Sequence, residues 1–192
     1  AHPDKIKKRD AAHPGDLIGV TGPLGSSSFV FRHLDRSDLD CFPEFNSMKE
    51  HWCNPRPHLP EALLLSESKG VHALMDVSDG LAQDLSRMCK ASGCHAEVDV
   101  NKIPLGAGLA EMSSHMGEVA VDHAISGGED YCLLFSVDPQ SAKTLVQSFQ
   151  NSSLSAPTII GQMVARESEG VSFFKGDQYY NCNLAPWSWV TS

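Results

Sequence analysis

Met75-Asp76-Val77-Ser78-Asp79-Gly80-Leu81-Ala82-Gln83-Asp84-Leu85 is the stretch that decides how the rest of the chain is read. A mostly apolar lead-in from Val71 to Val77 carries an acid near its end, and the Ser78-Asp79-Gly80 turn opens an amphipathic segment. The pattern predicts a strand over 71–77 and a helix over 81–92. Leu81, Leu85, Met88 and Cys89 recur at helical spacing, and Gly93 stands at the stop position. Asp79 is a plausible N-cap. Such a turn gathers two carboxylates, a hydroxyl and helix N-terminal amides within a few residues. Magnesium takes hard oxygen ligands, often one or two carboxylates plus substrate phosphates, so Asp76 and Asp79 are candidate ligands. On residue types alone, a helix cap beside a solvated strand end is the commoner outcome. Asp84, one turn into the helix, is expected at the surface or behind the first two acids.

Fifty residues later a second acidic turn appears, Ser126-Gly127-Gly128-Glu129-Asp130-Tyr131, followed by the apolar run Tyr131 to Val137. Two glycines allow positive φ or close approach to a ligand, which would let Glu129 point into a pocket and accept a hydrogen bond from an amine. The bland alternative is a glycine turn before a buried strand.

Outward from these turns, strands are expected at 17–21, 96–100, 158–164, 171–174 and 178–180, the last two closing a hairpin around Lys175-Gly176-Asp177. Helices are expected at 26–34, 61–69 and 141–150, with weak helicity over 107–117. Residues 35–60, rich in Asp, Pro, Asn and His, lack clean periodicity and read as an irregular connection. Strands and helices interleave irregularly, which favours an α+β fold with a mixed sheet over a strict parallel arrangement.

The net charge of −9, from 15 basic against 24 acidic residues, argues against a nucleic-acid or anionic-membrane partner. Phosphates handled here would be neutralised by metal ions rather than by a lysine-arginine cradle. The six cysteines form no Cys-x-x-Cys and no zinc spacing, so reduced thiols in a cytoplasmic setting are expected, with Cys89 and Cys132 as small buried hydrophobes. No phosphate-loop, His-Glu-x-x-His or dinucleotide fingerprint occurs.

Together the two turns closely resemble those of thiamine-monophosphate kinases, ATP-dependent enzymes that make thiamine diphosphate. The resemblance continues in order along the chain. Arg9-Asp10-Ala11-Ala12-His13-Pro14-Gly15-Asp16 is similar to the family's Arg-x-Gly-Ala-x-Pro-Gly-Asp opening of its second domain, and Thr21-Gly22-Pro23-Leu24-Gly25 follows. Pro55-Arg56-Pro57-His58-Leu59 resembles a Pro-x-Pro-Arg segment, with His58 where arginine is usual; Ala91-Ser92-Gly93, Ile103-Pro104 and Ile160-Gly161 also match. The resemblance implies that Asp76 and Asp79 bind Mg2+, that Ser78 and Arg9 contact ATP, and that Glu129 contacts thiamine monophosphate. It also implies a pocket-lining aromatic near the C-terminus, Trp187 or Trp189, although the ending Ala-Pro-Trp-Ser-Trp-Val-Thr-Ser departs from the family's usual close.

Only the family's C-terminal domain is covered, over residues 1–192, and the chain lacks an initiating methionine. The N-terminal domain, which supplies most magnesium-binding aspartates and the homodimer core, is therefore expected to lie outside the chain, leaving these residues inactive alone. Transfer of the ATP γ-phosphoryl would be direct and in line, without a protein nucleophile. Two alternatives stand beside this reading. One is another ATP-dependent synthetase of the same superfamily, which includes aminoimidazole ribonucleotide synthetase, selenophosphate synthetase and hydrogenase maturation proteins. The other is a non-catalytic nucleotide- or metabolite-binding module.

Overall fold

A computed structural model of the chain describes residues 6–166 and 168–185. Its centre is β1 (Leu17–Val20), whose apolar Ile18 and Val20 are fully buried. β1 pairs antiparallel with β4 (Leu133–Val137) on one side and β5 (Thr158–Val164) on the other. β2 (Val71–Asp76) adds to β4, and β3 (His95–Asp99) adds to β5, both antiparallel. β6 (Gly170–Lys175) lies parallel to β3 and turns back on the short β7 (Gln178–Tyr179), as the Lys175-Gly176-Asp177 signal predicts. The sheet order is β2-β4-β1-β5-β3-β6-β7, a mixed sheet of an α+β fold.

Alternation along the strands sends two sets of apolar side chains to opposite faces. One face is covered by α4 (Leu81–Ser92), whose Leu81, Leu85, Met88 and Cys89 are buried with Val20, Val98, Leu134 and Ile160. The reverse face carries α3 (Leu59–Glu67) and α7 (Pro139–Asn151), with Leu65, Leu145 and Phe149 packed on Phe135 and Val137. Each such aliphatic or aromatic burial contributes roughly 1.5–3 kcal/mol. A third cluster joins Phe29 and Val30 of α1 (Ser26–Arg32) to Phe45 and Met48 of α2 (Pro43–Cys53) and to Leu109 and Met112 of α5 (Leu109–His115). α6 (Ala120–Ser126) then leads into the glycine-acid turn.

Residues 35–60 depart from the expectation of an irregular connection. They hold a 3-10 turn at Ser37–Cys41 and the eleven-residue α2. Pro43 occupies the first turn of α2, where a missing N–H costs nothing, so a residue that reads as a breaker is here a starter. Phe45, Met48 and Trp52 share the face toward the third cluster. α6 was also not expected from the pattern. β4 begins at Leu133 rather than Tyr131, because Tyr131 adopts φ 52 and leaves the extended region.

Candidate active-site surface

The two acidic turns are locked to one another through their backbones. Val77 N–H donates to Cys132 O at 2.9 Å, Tyr131 N–H to Val77 O at 3.0 Å, and Glu129 N–H to Ser78 O at 2.9 Å. This junction requires glycine on both sides. A Cβ on Gly128 would lie 2.3 Å from Ser78 O, and one on Gly80, whose φ is 108, would lie 2.8 Å from Gly127 O. The glycines therefore serve the approach of one turn to the other. In the second turn positive φ falls not on Gly127 or Gly128 but on Glu129 (φ 67) and Tyr131 (φ 52). Each costs about 1–3 kcal/mol, and such strain is characteristic of functional sites.

Within the first turn, the structure changes the roles of two acids. The N-cap residue of α4 is Gly80, and no side chain caps the helix there, so Asp79 is not the cap. Asp84, fully buried, reaches back instead. Its Oδ2 accepts from the amides of Ser78 at 2.9 Å and Asp79 at 2.8 Å, which takes those two N–H groups out of reach of a ligand. Its other oxygen accepts from Arg87 at 2.7 Å. Burial raises the Asp84 pKa, while the two amides and Arg87 oppose that shift. Arg87 also pairs with Asp79, and the Asp79 contact is the main cause of its raised pKa.

Asp76 is exposed at the end of β2, and its carboxylate accepts no hydrogen bond from the described residues. The Ser78 hydroxyl is likewise unengaged among them. These residues fit a magnesium ion as a partial set. Asp76 offers two uncommitted oxygens, and Asp79 offers a carboxylate now facing Arg87. Water and phosphate oxygens would complete six-fold coordination.

In the second turn Asp130 is buried and holds the start of α1, with Oδ2 accepting from Gly25 N at 2.8 Å and Oδ1 from Ser27 N at 3.4 Å. Burial pushes its pKa up to about 7 despite those bonds. In an unfolded chain the carboxyl titrates near ~4. The folded state thus binds more protons between these values, and this group's contribution to stability is present below about pH 4 and lost as pH rises through about 7. The melting temperature of the chain is expected to fall relative to that of Asp130→Asn as pH rises from 4 to 8, because only the carboxyl must ionise in its buried site. A stability difference independent of pH would contradict this.

Glu129 turns its carboxylate to α2, where Trp52 Nε1–H donates to Oε2 at 2.6 Å, and its carbonyl accepts from the Ser27 hydroxyl at 2.9 Å. Tyr131 stands between the acids. Burial raises its pKa first, and the charges of Glu129, Asp76 and Asp79 raise it further. With Pro55, Arg56 and Pro57 it lines a depression of about 250 Å3, so the Pro-x-Pro segment borders the same surface. His58 is fixed there by a 2.8 Å contact between its Nδ1 and the Thr21 hydroxyl.

Asp76, Ser78, Asp79 and Glu129 are thus brought together. The Arg9 side chain makes no hydrogen bond or ion pair with them: its neighbour Lys8 pairs with Ala73 of β2, and the Arg9 carbonyl accepts from the hydroxyl of Ser92, the last residue of α4. Trp187 and Trp189 lie outside the described residues. Trp52, Arg87 and Asp130 are the members that sequence reading passed over, while Asp84 takes the second of its two expected places, behind the first two acids. Asp84 and Arg87 carried a local signal, an acid-arginine pair three apart on one helix.

The mixed sheet and paired acidic turns define the class. The chain belongs to the family described as AIR synthase related protein, C-terminal domain, which it matches over residues 13–173. Within that family it is similar to thiamine-monophosphate kinases. It is 35% identical to the thiamine-monophosphate kinase of Salmonella typhimurium over 171 residues, covering 88% of this chain and 50% of the relative. The thiamine-monophosphate kinase structure from Stenotrophomonas maltophilia superposes with a TM-score of 0.78 at 29% identity, over 88% of this chain and 53% of that one. AaThiL complexed with AMPPCP and TMP superposes with a TM-score of 0.73 at 26% identity, over 94% of this chain and 53% of that one. The chain spans about half the length of the curated relatives it matches. Among the described residues, no helix is long and apolar enough to cross a membrane.

Proposed function

We propose that this chain forms half of the active site of an ATP-dependent kinase that converts thiamine monophosphate to thiamine diphosphate. The observation that carries this reading is the backbone junction between the Ser78 and Glu129 turns, which sets Asp76, Asp79 and Glu129 on adjoining turns. Its support from relatives is the likeness to thiamine-monophosphate kinases and to a structure with AMPPCP and TMP bound. Asp76 and Asp79 would hold Mg2+, which when bound offsets the charge of the nucleotide phosphates. The Ser78 hydroxyl would donate to those phosphates. Asp84 keeps the turn rigid by satisfying its two amides, so the acids are positioned before any ligand arrives. Arg87, released from Asp79 when the metal binds, would be free to face a phosphate.

Glu129 would accept the exocyclic amine of the thiamine aminopyrimidine, with the Trp52 ring beside it. Trp52 can thereby fill the role expected of a C-terminal tryptophan. The remaining carboxylates and a homodimer contact would come from a half of the site outside this chain, and these residues alone would transfer no phosphoryl group. In the natural protein that carries this chain, Glu129→Gln should weaken thiamine monophosphate about 5- to 150-fold, because a desolvated polar partner is worth ~1–3 kcal/mol. ATP binding should change little. The glutamine carbonyl can still accept from Trp52, so folding should persist. Steady-state kinetics with each substrate varied in turn decide the matter. A selective rise in the ATP constant would move Glu129 to the nucleotide side of the site.

A further inference from the structure

At the opposite end of β2 lies a cluster that the kinase reading does not use. His13, Asp16 and His72 each present one donor atom, and these atoms all lie within 4.8 Å of one another. The Nδ1 atoms of His13 and His72 are 3.2 Å apart, and His72 Nδ1 is 2.9 Å from both Asp16 oxygens. Four ligands at ~2.0–2.1 Å around a tetrahedral zinc ion stand about 3.3 Å from each other. The His13–His72 and His72–Asp16 spacings are close to that edge, and the His13–Asp16 spacing lies within 4.8 Å.

A cation would satisfy the crowded contacts at His72 Nδ1. A neutral imidazole Nδ1 carries one in-plane hydrogen or one lone pair. With a hydrogen, His72 Nδ1 has one donor for three acceptors. With a lone pair, it faces a carboxylate oxygen. A metal ion among the three satisfies every one of these atoms.

The carboxylate is also held as a ligand would be. Asp16 is 3% exposed, and its Oδ2 accepts from the Ser136 hydroxyl at 2.9 Å and from the His13 amide at 2.9 Å. The Ser136 hydroxyl in turn accepts from Ala73 N–H at 3.2 Å, so β4 and β2 are both fixed to the cluster. Oδ1 is left directed at His72. Such supporting bonds orient a metal-binding carboxylate. The register of β2 against β4 shifts between Val71 and Leu74, and His72 sits in that irregularity, a common device for re-aiming a side chain. His13 is exposed and the His72 side chain is 29% exposed, so an ion can enter from solvent.

We propose that His13, Asp16 and His72 bind a Zn2+-type divalent ion that clips the turn before β1 to β4 and β2. Imidazole donors select zinc-like metals over magnesium. The site is four residues from Asp76 along β2, ~13 Å away, and does not depend on the kinase reading. The test titrates the purified, chelator-treated chain with Co2+, then displaces it with Zn2+. The expected result is one saturable Co2+ with tetrahedral visible bands, no thiolate charge-transfer band, displacement by Zn2+, and a raised melting temperature. His13→Ala, at an exposed position, and His72→Gln should each weaken binding by at least about tenfold. Circular dichroism of both variants is the control for folding. No saturable binding, a thiolate band, or unchanged affinity in both variants would overturn the proposal.

Discussion

Asp76→Asn is expected to lower phosphoryl transfer by the natural protein about 100-fold or more and to raise the magnesium concentration needed for half-maximal rate. The substitution keeps the side chain's shape and would remove an anionic oxygen from the proposed metal, whose offset of charge at the transferring phosphate would be worth several kcal/mol. Asp79→Asn should act in the same direction. Its fold cost is small, because the Asp79 and Arg87 side chains are 26% and 44% exposed, and an ion pair so wetted is worth ~0–1 kcal/mol. Rate against magnesium concentration, with thermal melting as the control for folding, separates the two effects. Wild-type magnesium dependence in both variants would make these acids structural.

Gly128→Ala should damage the molecule in a different way. Its Cβ would stand 2.3 Å from Ser78 O and 3.1 Å from Asp79 Cα, both backbone atoms with little room to yield. Overpacking of this kind costs about 1–3 kcal/mol. It would also part the hydrogen bond from Glu129 N–H to Ser78 O. A lowered melting temperature accompanied by weaker use of both ATP and thiamine monophosphate is the expected pair of observations. Unchanged stability would mean that the turns are not held as closely as the structure has them.

Much of this arrangement was legible because it is local. A strand end, a glycine and an amphipathic helix sit within a dozen residues at Asp76 to Leu85, and α4 runs over Leu81–Ser92 as the periodicity predicts. Cys89 and Cys132 are buried as their apolar neighbours indicate, and burial pushes the Cys89 thiol up to about 12. Long-range partners left no such signal. The Trp52–Glu129 bond joins positions 77 residues apart, through a helix whose few apolar residues and leading proline resemble a loop. For Asp84 the sequence allows the surface or a place behind the first two acids, and only the folded chain decides between them, by bringing its carboxylate onto the Ser78 and Asp79 amides. Likewise the positive φ expected at a double glycine moved to Glu129 and Tyr131, since Gly127 and Gly128 are consumed by the approach of neighbouring atoms.

The most direct test follows the phosphoryl group itself. The natural protein carrying this chain is mixed with ATP, Mg2+ and thiamine monophosphate, and the products are resolved by phosphorus NMR. Formation of thiamine diphosphate with matching ADP, dependent on magnesium and lost in Asp76→Asn, is the predicted result. ATP left intact, or hydrolysed without any phosphoryl group reaching thiamine monophosphate, would contradict the account.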